Sequence, residues 1–169
     1  SRSLGFRFAG SHPMAGRERS GFGASEASLF RGASYIITPC GASPEDVTLL
    51  QRTAAALGFR QSVVTTPEEH DRIIAFTSQV PHALACAYVM SPQCLKHNGF
   101  SAGSYRDVSR VANINETLWT ELFLSNAGPL ADELDTLIGN LSAVRDAVRA
   151  GDGERLAALL RRGRLVKES

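Results

Sequence analysis

The chain has 169 residues and a mass of 18.1 kDa, enough for one domain or for one domain with part of a second. Hydrophobic residues make up 43% and charged residues 21%, which permits a packed core and argues against wholesale disorder. Lys and Arg number 18 and Asp and Glu 17, so the net charge of +1 points neither to nucleic acid nor to an anionic membrane, and no apolar run approaches the roughly 18 residues of a membrane span.

The first third reads as α/β. Phe6-Arg7-Phe8-Ala9 is a short strand candidate running into Gly10, Ser34-Tyr35-Ile36-Ile37-Thr38 a second, and Gln61-Ser62-Val63-Val64-Thr65 a third. A helix separates the last two. Ser43 can cap it, Pro44 suits its first position, Glu45 and Asp46 favour its positive end, and Gly58 is its stop. From Thr66 the pattern is helical. Thr66-Pro67-Glu68-Glu69 opens a helix expected to reach about Met90, bent at Pro81. Ser104-Tyr105-Arg106-Asp107 reads as a second capping box, opening a short helix to about Ala112. Asn115 can cap a long amphipathic stretch, which Gly128-Pro129 should kink or divide and Gly151 should end. Asp152 can cap a last helix. The fold class is therefore mainly α: an all-helical domain over residues 66–169, preceded by a small α/β remnant of about three strands over residues 1–65. Long apolar stripes in so short a chain need an outlet, which either a helical dimer interface or packing within the monomer can provide.

Cys40, Cys86 and Cys94 are an odd number at spacings that suit neither a disulfide framework nor a zinc site. A reducing cytoplasm is the compartment they fit. Glu69-His70-Asp71 reads as a helix-start charge cluster rather than a metal site, since adjacent helical residues diverge. Gly21-Phe22-Gly23 lacks the third glycine of a dinucleotide fingerprint and is rejected as a phosphate cradle.

Three groups remain as candidates for chemistry. His12 follows a strand inside Gly10-Ser11-His12-Pro13-Met14-Ala15-Gly16, and ligands gather beyond strand ends in open α/β sheets. Arg106 and Arg110 are four apart on one helix face, where like charges cost roughly 0.2–0.5 kcal/mol unless Asp107 or a bound anion compensates; a solvated charged face is the alternative reading. Ser78, Gln79 and His82 interrupt an apolar run and must find partners either in the core or in a ligand.

Together these segments resemble the prephenate dehydrogenase family. The resemblance rests on Gly10-Ser-His-Pro-Met-Ala-Gly16 with Glu18, Ser20 and Gly21; Leu29-Phe30 leading to Ile37-Thr38-Pro39; His70-Asp71; Thr77-Ser-Gln-Val-Pro-His82; and Ala102-Gly-Ser-Tyr-Arg-Asp-Val-Ser-Arg-Val-Ala112 with Trp119. The resemblance implies a Rossmann domain followed by a helical domain that builds a homodimer. It further implies oxidative decarboxylation of prephenate, with arogenate as the alternative substrate and NAD or NADP as cofactor. His12 matches the histidine that takes the substrate hydroxyl proton and Arg110 the arginine that pairs with a substrate carboxylate. His82, Arg106, Glu18, Gln79 and Ser78 match supporting positions of the pocket. Gln79 stands where many members carry a second histidine, and Arg106 where some carry lysine. The glycine-rich fingerprint is not among these 169 residues, so the isolated chain is expected neither to hold the dinucleotide nor to turn over. A non-catalytic dimerisation or ligand-sensing module is the alternative from a different class.

Overall fold

A computed structural model describes residues 7–16 and 21–169. Three short strands form one sheet in the order β1-β2-β3. Strand β1 (Gly10–Pro13) runs antiparallel to β2 (Ser34–Thr38), and β2 runs parallel to β3 (Gln61–Val64), with Ile36 of β2 opposite both His12 and Val63. The first strand is thus displaced from its expected position. Phe6 lies outside the described residues, 7–9 carry no regular structure, and the strand takes the Gly-Ser-His-Pro segment instead. Pairing with β2 overrides weak local propensity here, and Pro13 is tolerated because it ends an edge strand. His12 therefore sits on a strand, not in the loop after one. Gly10 has a steric reason: a Cβ there would collide with Thr38 Oγ1 on the neighbouring strand.

Helix α1 (Pro44–Ala56) makes the parallel crossover between β2 and β3. Its capping box is complete: Ser43 Oγ accepts from the Asp46 amide, and Asp46 Oδ2 accepts from the Ser43 amide. The chain turns at Gly58, whose φ of 89° is open to glycine at no cost. Behind the sheet Ile37 is fully buried, and Phe59 stacks on Phe30 at 4.9 Å.

The helical part opens with α2 (Pro67–Ile74), capped by Thr66 as expected. The single bent helix expected up to Met90 is in fact two helices joined by a π-helical turn, Ala75–Gln79, followed by α3 (Val80–Val89). Pro81 supplies the cause, because it has no N–H to give to the carbonyl four residues back. Helix α4 (Gly103–Ser109) starts one residue before the expected box. Its cap is Ala102, without a side-chain bond, so Ser104 is not a cap. A 3-10 turn, Arg110–Ala112, ends this segment.

Asn115 caps α5 (Glu116–Ser125) by accepting from the Leu118 amide. The long stretch divides at Asn126, ahead of Gly128-Pro129, and α6 (Ala127–Ala150) follows. Pro129 falls in the first turn of α6, where its missing N–H leaves no helical bond unmade. Gly151 closes α6 in the left-handed conformation, and Asp152 caps α7 (Gly153–Glu168). Ala75, Val80 and Leu130 form the helical core, with Phe123, Leu134 and Leu137 packed on it. Much of the apolar surface of α5 to α7 stays uncovered in the single chain: Leu124 is 72% exposed, Ile138 58% and Leu160 60%. Among the described residues no helix is long and apolar enough to cross a membrane.

Candidate active site

The sheet meets the helical part at a cleft of about 500 Å³. His12 from β1 and the following Met14, Ala15 and Gly16 form one wall. Ser78 of the π turn, His82 of α3, Arg110 and Val111 of the 3-10 turn, and Trp119 of α5 line the rest with Asn113, Asn115 and Leu118. Four of the residues singled out from sequence, His12, Ser78, His82 and Arg110, are thus brought together from four different segments. The π turn and Pro81 matter locally, because they set the rotation at which Ser78 and His82 enter the cleft.

Each imidazole is oriented. His82 Nδ1 is 2.8 Å from the Ser78 carbonyl oxygen, which can only accept, so Nδ1 carries the proton and donates. Its ring stacks on Trp119, with centroids 3.7 Å apart. His12 Nδ1 is 2.9 Å from Nε2 of His70 in α2. Burial first, then the charge His70 can carry, holds His12 below the ordinary imidazole pKa of 6.5 and favours its neutral, basic form near pH 7. The cleft thus combines a neutral base, a guanidinium on an adjacent wall and aromatic surface, a set suited to an anionic substrate with an ionisable hydroxyl.

Of the other predicted residues, two are placed away from the cleft and one is not described. Glu18 lies outside the described residues. Arg106 is exposed one turn before Arg110, and it does not line the cleft. Gln79 is 5% exposed and faces the core: its Nε2 donates to the Leu122 carbonyl, and its Oε1 accepts from Asn126 Nδ2. The core partner rather than a ligand satisfies it.

Sequence reasoning missed His70 and Asp71 as site residues. His70 Nδ1 is 2.8 Å from Asp71 Oδ1, and its other nitrogen reaches His12. Both residues border a second cavity, of about 350 Å³, on the far side of His12. No local pattern gives this contact away, because the two histidines are 58 residues apart. Among the described residues no group of three His, Cys, Asp or Glu side chains is placed to hold a metal ion.

A three-stranded sheet, the helices packed beside it and a cleft lined by His12, His82 and Arg110 where they meet make a scaffold suited to a small anionic ligand. Comparison with known proteins makes this specific. The sequence model of the prephenate dehydrogenase dimerization domain matches residues 66–162, and that of the prephenate dehydrogenase nucleotide-binding domain matches residues 1–72. The chain belongs to the prephenate dehydrogenase family. It is 31% identical to the prephenate dehydrogenase of Bacillus subtilis over 89% of this chain and 42% of that protein. It is 33% identical to the cyclohexadienyl dehydrogenase of Zymomonas mobilis over 86% of this chain and 52% of that protein. It therefore spans about half the length of these relatives. Among solved structures, prephenate dehydrogenase from A. aeolicus in complex with hydroxyphenyl propionate and NAD+ superposes with a TM-score of 0.84 at 27% identity, covering 99% of this chain and 60% of that one. Synechocystis arogenate dehydrogenase gives 0.82 at 26% identity, covering 98% and 62%.

Proposed function

We propose that this chain is the substrate-binding and dimerisation part of an enzyme that oxidatively decarboxylates prephenate to 4-hydroxyphenylpyruvate with NAD. The observation that carries the reading is the meeting of His12, His82 and Arg110 in one cleft. Arg110 pairs with a carboxylate of the substrate, which is a dicarboxylate, and fixes the ring in the cleft. His12 accepts the hydroxyl proton as that carbon becomes a carbonyl; the pair released on loss of the ring carboxylate as CO2 then makes the ring aromatic. The same proton returns from His12 to the new phenolate oxygen, so the base is restored each cycle. His82 presents Nε2 as an acceptor and Ser78 adds a hydroxyl, while Arg106 and Glu18 keep the supporting binding roles that the resemblance implies. Gln79 acts on the site only through the core.

When bound, NAD takes up the hydride. Gly21-Phe22-Gly23, already rejected as a phosphate cradle, runs into an exposed 3-10 turn, Phe22–Ala24, with Phe22 94% exposed. Residues 1–65 are read as nucleotide-domain remnant and 66–169 as the helical domain. The uncovered apolar faces of α5 to α7 are read as the homodimer contact, and the three free cysteines suit a reducing cytoplasm.

The test is NADH formation from prephenate and from arogenate, with the protein at its native length, comparing His12→Asn with the parent. Loss of about 100-fold or more in kcat with His12→Asn supports the assigned base. Turnover of arogenate alone would move the substrate to the amino form, and binding without turnover of either would favour a ligand-sensing module. Light scattering of the 18.1 kDa chain at micromolar concentration should give twice that mass; a monomer would refute the dimer.

A further inference from the structure

The chemistry assigned to His12 requires a lone pair on the nitrogen that meets the substrate. Neutral imidazole has one N–H and one lone pair, and which nitrogen carries which is set by its partners. The chain of contacts behind His12 fixes that choice. Asp71, as a carboxylate, only accepts, so the His70 nitrogen 2.8 Å away, Nδ1, bears a proton. Neutral His70 then offers a lone pair at Nε2. The nitrogen facing it at 2.9 Å, Nδ1 of His12, must bring the shared proton, which leaves Nε2 of His12 as the free base.

We infer that His70, oriented by Asp71, is a positioning residue that holds His12 in its Nδ1–H tautomer and so aims the basic Nε2 at the substrate hydroxyl. This deepens the proposed function and rests on it for the role of His12. The relay is built into the fold. Thr66 caps α2 and sets the rotation of its first turn, which turns His70 toward β1. The Asp71 carbonyl accepts from Asn126 Nδ2, tying α2 to the start of α6. The ring planes of His12 and His70 are inclined by 60° with centroids 5.2 Å apart, so the rings do not stack, and the contact between them is the 2.9 Å approach of the two nitrogens. The ionisable groups around His12 are His70 and Asp71 from α2, Cys40 after β2, His82 from α3 and Arg110 from the 3-10 turn. Of these, His70 lies within hydrogen-bond distance of His12, at 2.9 Å.

The tautomer can be read directly from the 15N shifts of the His12 ring in histidine-labelled protein near pH 8, without any turnover. The parent should show Nδ1 protonated and Nε2 bare. His70→Leu removes the acceptor and should move the proton to Nε2. His70→Gln places an amide oxygen at similar reach and should keep it on Nδ1. In the native-length enzyme His70→Leu should lower kcat about 10- to 100-fold with KM within about twofold, the range seen when outer partners that orient metal-bound histidines are lost. His70→Gln should recover most of it. Proton on Nε2 in the parent, or the same tautomer in parent and His70→Leu, would overturn the inference; so would full kcat in His70→Leu. Should His70→Leu not fold, the parent shifts and His70→Gln still decide. The proposed base is tested separately by His12→Asn: intact turnover there refutes that reading while the nitrogen shifts stand.

Discussion

Replacing Gln79 with alanine separates a structural role from a ligand role at a position where resemblance places a pocket residue. The side chain joins three elements. Helix α5 ends with carbonyls that have no helical partner. The Leu122 carbonyl is one of them, because the Asn126 amide that would normally serve it turns to Phe123 instead. Gln79 Nε2 donates to Leu122 at 3.0 Å, and Asn126 Nδ2 donates to Gln79 Oε1 at 2.8 Å and to the Asp71 carbonyl at 2.9 Å. Removing the amide forfeits two hydrogen bonds at about 1 kcal/mol each and leaves a half-hidden carbonyl short of a partner for about 1 more. For a chain of this size a loss of about 3 kcal/mol lowers Tm by roughly 6–12 °C. Thermal unfolding followed by circular dichroism measures it, and kinetics of the native-length enzyme supply the second axis, with KM expected within about threefold of the parent. A Tm within 2 °C of the parent together with a KM raised tenfold or more would refute the reasoning and return Gln79 to the pocket.

Other outcomes follow from the same geometry. Arg110→Gln should raise KM for a dicarboxylate about 10- to 100-fold, the equivalent of one charge-assisted pair, and a change under twofold would refute the anchor. The acid limb of kcat/KM should fall below pH 6.5, since His12 is held under that value by burial and His70; activity is full above its folded pKa and lost as pH drops through it, and a limb above pH 7 would refute the assignment. Fold stability moves the same way: protonated His12 is disfavoured in the fold, so stability falls as pH drops from 6.5 toward the folded value, measurable as a declining urea midpoint. Gly10→Ala should cost about 1–3 kcal/mol by forcing Thr38 aside, and Thr38→Ala in the same chain should recover most of it; no recovery would show that the clash is not the cause. Ser43→Ala should cost about 1 kcal/mol by opening the α1 capping box, read as a Tm drop of roughly 2–4 °C.

Local chemistry made the helical framework legible. The caps at Ser43, Thr66, Asn115 and Asp152 and the left-handed stop at Gly151 involve residues three or four apart, and the structure uses each of them, although at Thr66 only the cap half of the expected box forms and the Glu69 carboxylate pairs with Arg72 instead. The failures were of another kind. Strand β1 was misplaced by four residues because its Gly, Ser, His and Pro have little strand propensity and are held there by pairing with β2. The Ser104 box failed because the helix begins at Gly103 with Ala102 as its cap, two residues earlier than a Ser104 cap would start it. The pairing of Arg106 with Arg110 assumed a regular helix, whereas the backbone tightens into a 3-10 turn at Arg110 and only that residue lines the cleft.

The same division of local from distant explains the site. His12 and Arg110 were readable because their motifs are contiguous, while the residue that sets the chemistry of His12 was not. His70 sits in a first helical turn beside Glu69 and Asp71, where a charge cluster is the ordinary reading, and the resemblance that His70-Asp71 helps carry assigned it no role. Only the fold brings its Nε2 to His12. It does so through a knot of Asn126, Gln79 and the Asp71 carbonyl that pins α2 to the junction of α5 and α6. Strengthening or loosening that knot should therefore act at a distance on the tautomer of His12. Asn126→Ala removes both of its bonds without touching the cleft. If the relay depends on the placement of α2, the His12 ring in this variant should show a mixed tautomer population and a kcat reduced about 3- to 10-fold, with the larger fall reserved for His70→Leu. An unchanged His12 spectrum in Asn126→Ala, despite a lowered Tm, would show that α2 is held against β1 by its own packing and that the knot serves stability alone.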